Sequence, residues 1–267
     1  MKRIVCSLAI ISVVFLSYTS AWSDFLPEPN GEEFGLEYGE TIAVIPANPP
    51  KIDGKLDDWK GAIWIALDSE DELLRGQGAW EGGDDLSIVW STMYDAENFY
   101  FAAAVRDDIF APSADAGQPW LGDCIFLYID WANSKAEVSS KPNFALINDK
   151  ALVSDFSGNN PQIDQSEISI VPCEELGEGG MIYEVAMPFE FLTEEEIRAG
   201  SEIGLTPGYE EGTDNLENKA DLVFMDWGGV NPDEAASLGK LTFGHLVTAV
   251  DRVGKLAAAW GRLKVGW

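Results

Sequence analysis

The chain has 267 residues, of which 46% are apolar and 46 are acidic against 17 basic, giving a formal net charge of −29. That length and apolar content can fill one large all-β domain or two small ones without a partner. So acidic a surface repels phosphate backbones and anionic headgroups, which argues against nucleic acid and lipid surfaces as partners and favours cations or neutral ligands.

In chain order, Lys2 and Arg3 precede an apolar run over 4–16, and Ala21-Trp22-Ser23 places small residues for cleavage before Asp24. Residues 1–23 therefore read as a signal peptide, and the protein as secreted, extracellular or periplasmic. The apolar run is too short to span a bilayer comfortably, and no later segment is long enough, so no membrane insertion is expected. Removing residues 1–23 leaves 46 acidic residues against 15 basic ones, a net charge of about −31. Of three cysteines, Cys124 and Cys173 remain. An oxidising compartment leaves a bridge between them open, while Cys124 falls in an apolar run where a free thiol behaves as a small apolar residue.

Residues 24–40 mix Pro, Gly and Glu without a period and read as a linker or N-terminal arm. Short strands follow, each bounded by Gly, Pro, Asn or Asp: 41–45, 62–67, 86–94, 98–107, 123–130, 144–148, 151–156, 167–171, 181–188, 202–210, 221–227 and 240–244. Between the ninth and tenth, FEFLTEEEIRAG (189–200) carries Thr193 before three glutamates and ends at Gly200, which predicts one short capped helix. Some strands are continuously apolar and others alternate, as in two facing antiparallel sheets. The expected fold is an all-β, antiparallel, jelly-roll-like β-sandwich over 41–248. Residues 249–267 form a basic tail in which Leu256, Trp260 and Leu263 share one side of an amphipathic helix, suited to docking on the acidic domain or on a cell-surface partner.

The order of motifs carries a resemblance. KIDGKLDDWKGA (51–62) is followed by LSIVWSTMYDAENFYFAAAVRDD (86–108), PWLGDCIFLYID (119–130), GGMIYEVAMPFEFL (179–192), EIGLTPGYEEGTDN (202–215) and LGKLTFGHL (238–246). This succession resembles the family 9 carbohydrate-binding module within the wider DOMON-like group. The residues also have a physical sense of their own. Ile52 can enter the core, Asp53-Gly54 makes a turn, and Trp59 supplies a large apolar body at the sandwich end.

The resemblance implies a noncatalytic module that holds a polysaccharide or oligosaccharide between two tryptophans, with polar side chains on the hydroxyls and calcium stiffening the loops. Trp120 stands at one of the two tryptophan positions. Phe126 stands where the family has a glutamate, Ala145 where it has an arginine, and 231–244, where the second tryptophan is expected, contains none. The expected ligand platform is therefore Trp120 with Trp131 or Trp227 and the amides of Gln118 and Asn133. For calcium, Asp107 and Asp108 end one strand, Asp123 begins another and Asp84-Asp85 precede a third, so Asp107, Asp108 and Asp123 are the expected ligands at the sheet ends.

His245 is the sole histidine, and no nucleophile lies in a catalytic motif, which disfavours a triad or a histidine-based zinc site. Paired carboxylates are too common here to identify a glycosidase. Two alternatives stay open. One is an extracellular scaffold without sugar binding. The other is a haem-binding DOMON-like domain using His245 with Met93, Met181, Met187 or Met225.

Overall fold

The computed structural model describes residues 26–76, 78–212, 223–227, 231 and 233–244. The signal peptide expected over 1–23, His245 and the basic tail lie outside them. Among the described residues, no helix is long and apolar enough to cross a membrane.

Two sheets pack face to face. In the smaller, β2 (Ile65–Leu67), β4 (Leu86–Tyr94), β5 (Asn98–Asp107), β10 (Met181–Pro188) and β9 (Glu167–Pro172) lie side by side. In the larger, the order is β1 (Glu40–Ala43), β13 (Gly239–Phe243), β11 (Glu202–Glu211), β6 (Cys124–Asp130), β7 (Pro142–Ile147) and β8 (Lys150–Asp155). β12 (Val223–Asp226) also pairs with β11 and carries β3 (Leu73–Arg75) at its far side. All pairs are antiparallel except β1 with β13, which run parallel. The all-β sandwich expected from the sequence is the observed fold, and β3 is the one strand the sequence pattern does not show.

The core between the sheets is rich in aromatic rings. Trp90 meets Trp227 edge-on at 5.0 Å between centroids, and Phe101 lies 5.7 Å from Phe144 across the gap. In β6, Ile125, Leu127 and Ile129 enter this core, while Cys124, Phe126 and Tyr128 point the other way and form a separate apolar cluster with Ala145 and Ile147. The period-two geometry of a strand thus makes one apolar run serve two faces.

The structure refines three local expectations. The helix expected over 189–200 is a single turn, α1 (Phe189–Leu192). Thr193 is extended, and its hydroxyl accepts the Glu195 N–H at 3.0 Å, so local hydrogen bonding replaces another helical turn. The 24–40 segment does not hang free over its described part: Leu26, Phe34 and Leu36 pack on the outer face of the smaller sheet. There the Asn30 side chain donates to the Ala62 carbonyl and accepts the Trp64 N–H. Cys124 and Cys173 are both buried free thiols in different apolar clusters.

The KIDGKLDDW motif closes the outer face of the smaller sheet through one buried carboxylate. Gly54 N–H and Lys55 N–H donate to Glu184 Oε2 at 2.5 and 3.0 Å, and the Trp59 indole N–H donates to Oε1 at 2.7 Å. Gly54 has φ 84°, and a Cβ there would meet Val171 at 2.6 Å, so the turn requires glycine twice over. Burial pushes the Glu184 carboxyl from 4.5 up to about 7, against the pull of the three donors.

A raised carboxyl holds its proton more tightly folded than unfolded. Its contribution to stability is therefore full below the unfolded value and is lost as pH rises through the folded one. We expect the stability advantage of the native chain over Glu184→Gln, measured by urea denaturation, to shrink between pH 4.5 and pH 7 by at most about 3 kcal/mol. An advantage that grows over that window would mean that the three donors outweigh burial.

Candidate functional site

The outward side chains of β6 floor a groove of 330 Å³. Phe126 and Tyr128 lie 6.0 Å apart on the floor, and Trp120 rises beside them. Phe156, just after β8, meets Trp120 edge-on at 4.6 Å and Phe126 at 5.4 Å. Leu74 of β3 adds an aliphatic edge. Leu74 and Phe156 are 38% and 39% exposed, two of the four large hydrophobic residues found exposed among the described residues, and both line this one groove. Apolar side chains gathered with a few polar groups in one depression suit a ligand that has an apolar face.

Its polar groups come in opposite-charge pairs. Arg75 of β3 bonds Glu210 of β11, whose carboxylate is nearly buried, and Lys141 bonds Asp233. Lys141 Nζ also stands 5.8 Å from the Tyr128 ring centre. Asn231 completes the rim. On a chain of net charge −29 the groove is locally balanced, which suits a neutral ligand.

Trp120 reaches this place because its loop is tied down on both sides. It sits in the 3-10 turn Pro119–Leu121. Ser113 Oγ donates to the Gln118 carbonyl at 2.9 Å, and Asp123 accepts from the backbone N–H of Ala111 and, at 2.5 Å, of Gly212. A Cβ on Gly122 would meet the Ala111 carbonyl at 2.5 Å, so the loop closes only over glycine.

The structure brings together only part of the platform expected from the sequence. Trp227 is 2% exposed and belongs to the core against Trp90. Trp131 is 4% exposed, packs edge-on against Phe99 and Phe189, and lines a different cleft. Gln118 is exposed, but its amide is held by Asp115 at 3.0 Å and does not line the groove. Asn133, with φ 49°, lies in the turn after β6, outside the groove. Phe126 and the segment holding Asn231 and Asp233 do line it, and Ala145 shares its face of the sheet. Phe126, Ala145, Asn231 and Asp233, from three separate segments, thus lie on or beside one face.

Sequence reasoning missed Arg75, Glu210 and Phe156. Glu210 was visible only as one of two adjacent glutamates. Arg75 sits in a strand too short to show a period.

The carboxylates expected to hold a cation divide into two layers. Ligand oxygens of Asp85, Asp108 and Glu211 lie within 4.8 Å of one another. Behind them, Asp107 accepts the Ile109 N–H at 2.9 Å and the Tyr209 hydroxyl at 3.1 Å, and Asp123 holds the loop backbone. Of the three expected ligands, only Asp108 is in the front layer. Burial, reinforced by neighbouring carboxylates, pushes Asp107 up to about 7, Glu211 up to about 8, and Asp123 well above the usual carboxylate range. Glu211 Oε2 is buried and has no hydrogen-bond partner among the described residues. Like charges massed around an orphaned acceptor fit a hard cation, which takes oxygen ligands.

Of the methionines considered for haem, Met93, Met181 and Met187 are buried in the sandwich. The Met225 side chain and His245 lie outside what the structure describes.

A family model described as carbohydrate family 9 binding domain-like matches residues 52–245. The fold is similar to that of a family 9 carbohydrate binding module from Caldicellulosiruptor kristjanssonii. Its complex with cellotriose gives a TM-score of 0.55 at 14% identity, covering 78% of this chain and 95% of that one. Its complex with glucose gives 0.55 at 14%, covering 78% and 97%. A candidate carbohydrate-binding protein from Bacteroides uniformis gives 0.50 at 11%, covering 76% and 98%. No curated protein matches the chain.

Proposed function

The chain belongs to the carbohydrate family 9 binding domain-like family, and from that premise we propose that it is an exported, noncatalytic module that binds a neutral glycan in the groove beside Trp120. The observation that carries this reading is a charge-balanced, aromatic-lined groove on an otherwise strongly acidic chain. A pyranose presents a flat C–H face that an aromatic ring can cover, and its hydroxyls need donors and acceptors, since each group desolvated unpaired costs about 1–3 kcal/mol. Trp120 and Phe156 offer the rings, and Asn231 with the Arg75–Glu210 and Lys141–Asp233 pairs offers the polar groups. The cellotriose and glucose bound by the Caldicellulosiruptor module make gluco-oligosaccharides the first ligands to try.

Binding here does not repeat the family's two-tryptophan clamp. Phe156 is the second ring beside Trp120, and because it meets Trp120 edge-on, the pair forms a corner rather than two parallel walls. A sugar would stack on one ring and abut the other.

Titrating the protein with soluble gluco-, xylo- and manno-oligosaccharides should give a saturable change in tryptophan fluorescence. Trp120→Ala should weaken binding by about tenfold or more, roughly 1.4 kcal/mol, with the melting temperature kept. Equal affinity in the variant would move the site elsewhere. No response to any series would leave the scaffold reading in its place.

Calcium is the cofactor proposed for the Asp85, Asp108 and Glu211 carboxylates, the group whose oxygens lie close together and include the orphaned Glu211 Oε2. The ion would relieve their mutual repulsion and brace the end of β11 against the loop that carries Trp120. Calcium at a hundred times its dissociation constant should stabilise the protein by about 2.7 kcal/mol, raising the melting temperature by roughly 5–10 °C. Glu211→Gln should abolish most of that rise. A melting temperature identical in chelator and in millimolar calcium would refute the site.

A further inference from the structure

A second cleft, of 470 Å³, lies beside the first. Trp131, in the turn one residue beyond β6, lines it with the edge of a ring otherwise buried in the core, three positions along the chain from Tyr128 in the groove. The loop after β8 joins the two on the other side, placing Phe156 in the groove and Asn159 and Asn160 in the cleft. The return into β7 does the same with Lys141 and Ser139. Three separate segments thus run from one depression to the next.

The loop between them is held in place. Asp155 accepts the backbone N–H groups of Lys141, Ser157 and Asn160 at 2.9, 3.0 and 2.9 Å, and the Asn160 side chain returns to it at 3.0 Å. Asn159 Nδ2 donates to the Ser139 carbonyl at 3.2 Å across the mouth of the cleft. A ligand spanning both depressions would meet a face already ordered, which lowers the entropic cost of binding.

The chemistry of the cleft continues that of the groove. Asn159, Gln162, Ser139 and Thr193 supply neutral donors and acceptors, and Phe191 an apolar ring. The Trp131 indole N–H beneath them is buried and has no acceptor within the described protein. Glu190, Glu194 and Glu195 at the rim oppose an anionic ligand.

We infer that groove and cleft form one continuous face for a linear, neutral oligosaccharide longer than the trisaccharide seen on the Caldicellulosiruptor module, so that the protein grips an extended stretch of chain. This rests on the sugar-binding reading of the Trp120 groove.

Isothermal titration of the full protein with the trisaccharide and the hexasaccharide of each linear gluco-, xylo- and manno- series tests it. The hexasaccharide of the series that binds should bind about tenfold or more tightly than its trisaccharide. Asn159→Ala with Gln162→Ala, both at exposed positions, should bring that ratio close to one with an unchanged melt. If the two lengths bind alike while Trp120→Ala abolishes both, the extended face is wrong and the groove stands. If the length preference survives the double variant, the extra contacts lie elsewhere and the cleft is wrong. If no series binds, the groove reading fails and this inference with it.

Discussion

The placement of Trp120 depends on a single buried carboxylate. Asp123 is 1% exposed, yet it accepts backbone N–H groups from Ala111, at the start of the Trp120 loop, and from Gly212, at the end of β11. A carboxyl oxygen accepts an N–H whether or not the group carries its proton, and removing water from around such hydrogen bonds strengthens them. One side chain therefore fastens three parts at once: the loop that lifts Trp120, the strand that offers Glu210 to the groove, and Glu211, next along that strand, whose carboxylate lies close to those of Asp85 and Asp108. Without it the tryptophan would sit on an untethered loop, and ordering it on a ligand would cost entropy that the folded protein has already spent.

The larger sheet must be apolar on both faces for this arrangement to exist. Ile125, Leu127 and Ile129 fill the core, and the alternate residues Cys124, Phe126 and Tyr128 form the outer patch. Phe126 and Ala145 make that outer face strongly apolar. Charge returns from neighbouring strands as the Arg75–Glu210 pair. Glu210 faces Cys124 across the β11–β6 ladder, a nearly buried charge to which Arg75 supplies a counter-charge. Such a charge costs several kcal/mol, which is why the short β3 strand that delivers Arg75 matters more than its length suggests.

The strands were legible because alternation and punctuation recur: twelve runs bounded by turn residues became twelve strands within a few residues of their expected ends. β3 was not, since Leu73–Arg75 is too short to carry a period and depends on β12 for its pairing. The short helix expected within 189–200 is present but ends at Leu192, because three adjacent glutamates and a capping threonine describe helix and turn equally well, and Ile197 packs on the core from an irregular segment. Trp131 and Trp227 illustrate the limit for site residues. Both sit at strand ends next to turn residues, as Trp120 does, and only tertiary packing shows that two of the three are core. Asp107 and Asp123 looked like cation ligands by their place at strand ends. The front layer instead draws Asp85 and Glu211 from segments far apart in the chain, a proximity no local pattern reveals.

The charge distribution ties these parts to recognition. A body with 46 acidic residues against 17 basic ones generates a field that lowers the local concentration of anionic glycans before any contact forms. Within the groove, Arg75 and Lys141 are each paired with a carboxylate, so among the described residues neither cation is left to invert that preference. On the proposed reading, discrimination works at two ranges: repulsion by the acidic body at a distance, and close up the demand of an aromatic corner for a flat apolar face with neutral hydroxyls around it. Neither requires the second tryptophan of the family clamp. The clamp encloses one sugar from both sides, whereas an open corner leaves both ends of the ligand free to continue along the surface. A neutral chain that keeps going is therefore the ligand whose shape the groove restricts least and whose charge the protein opposes least.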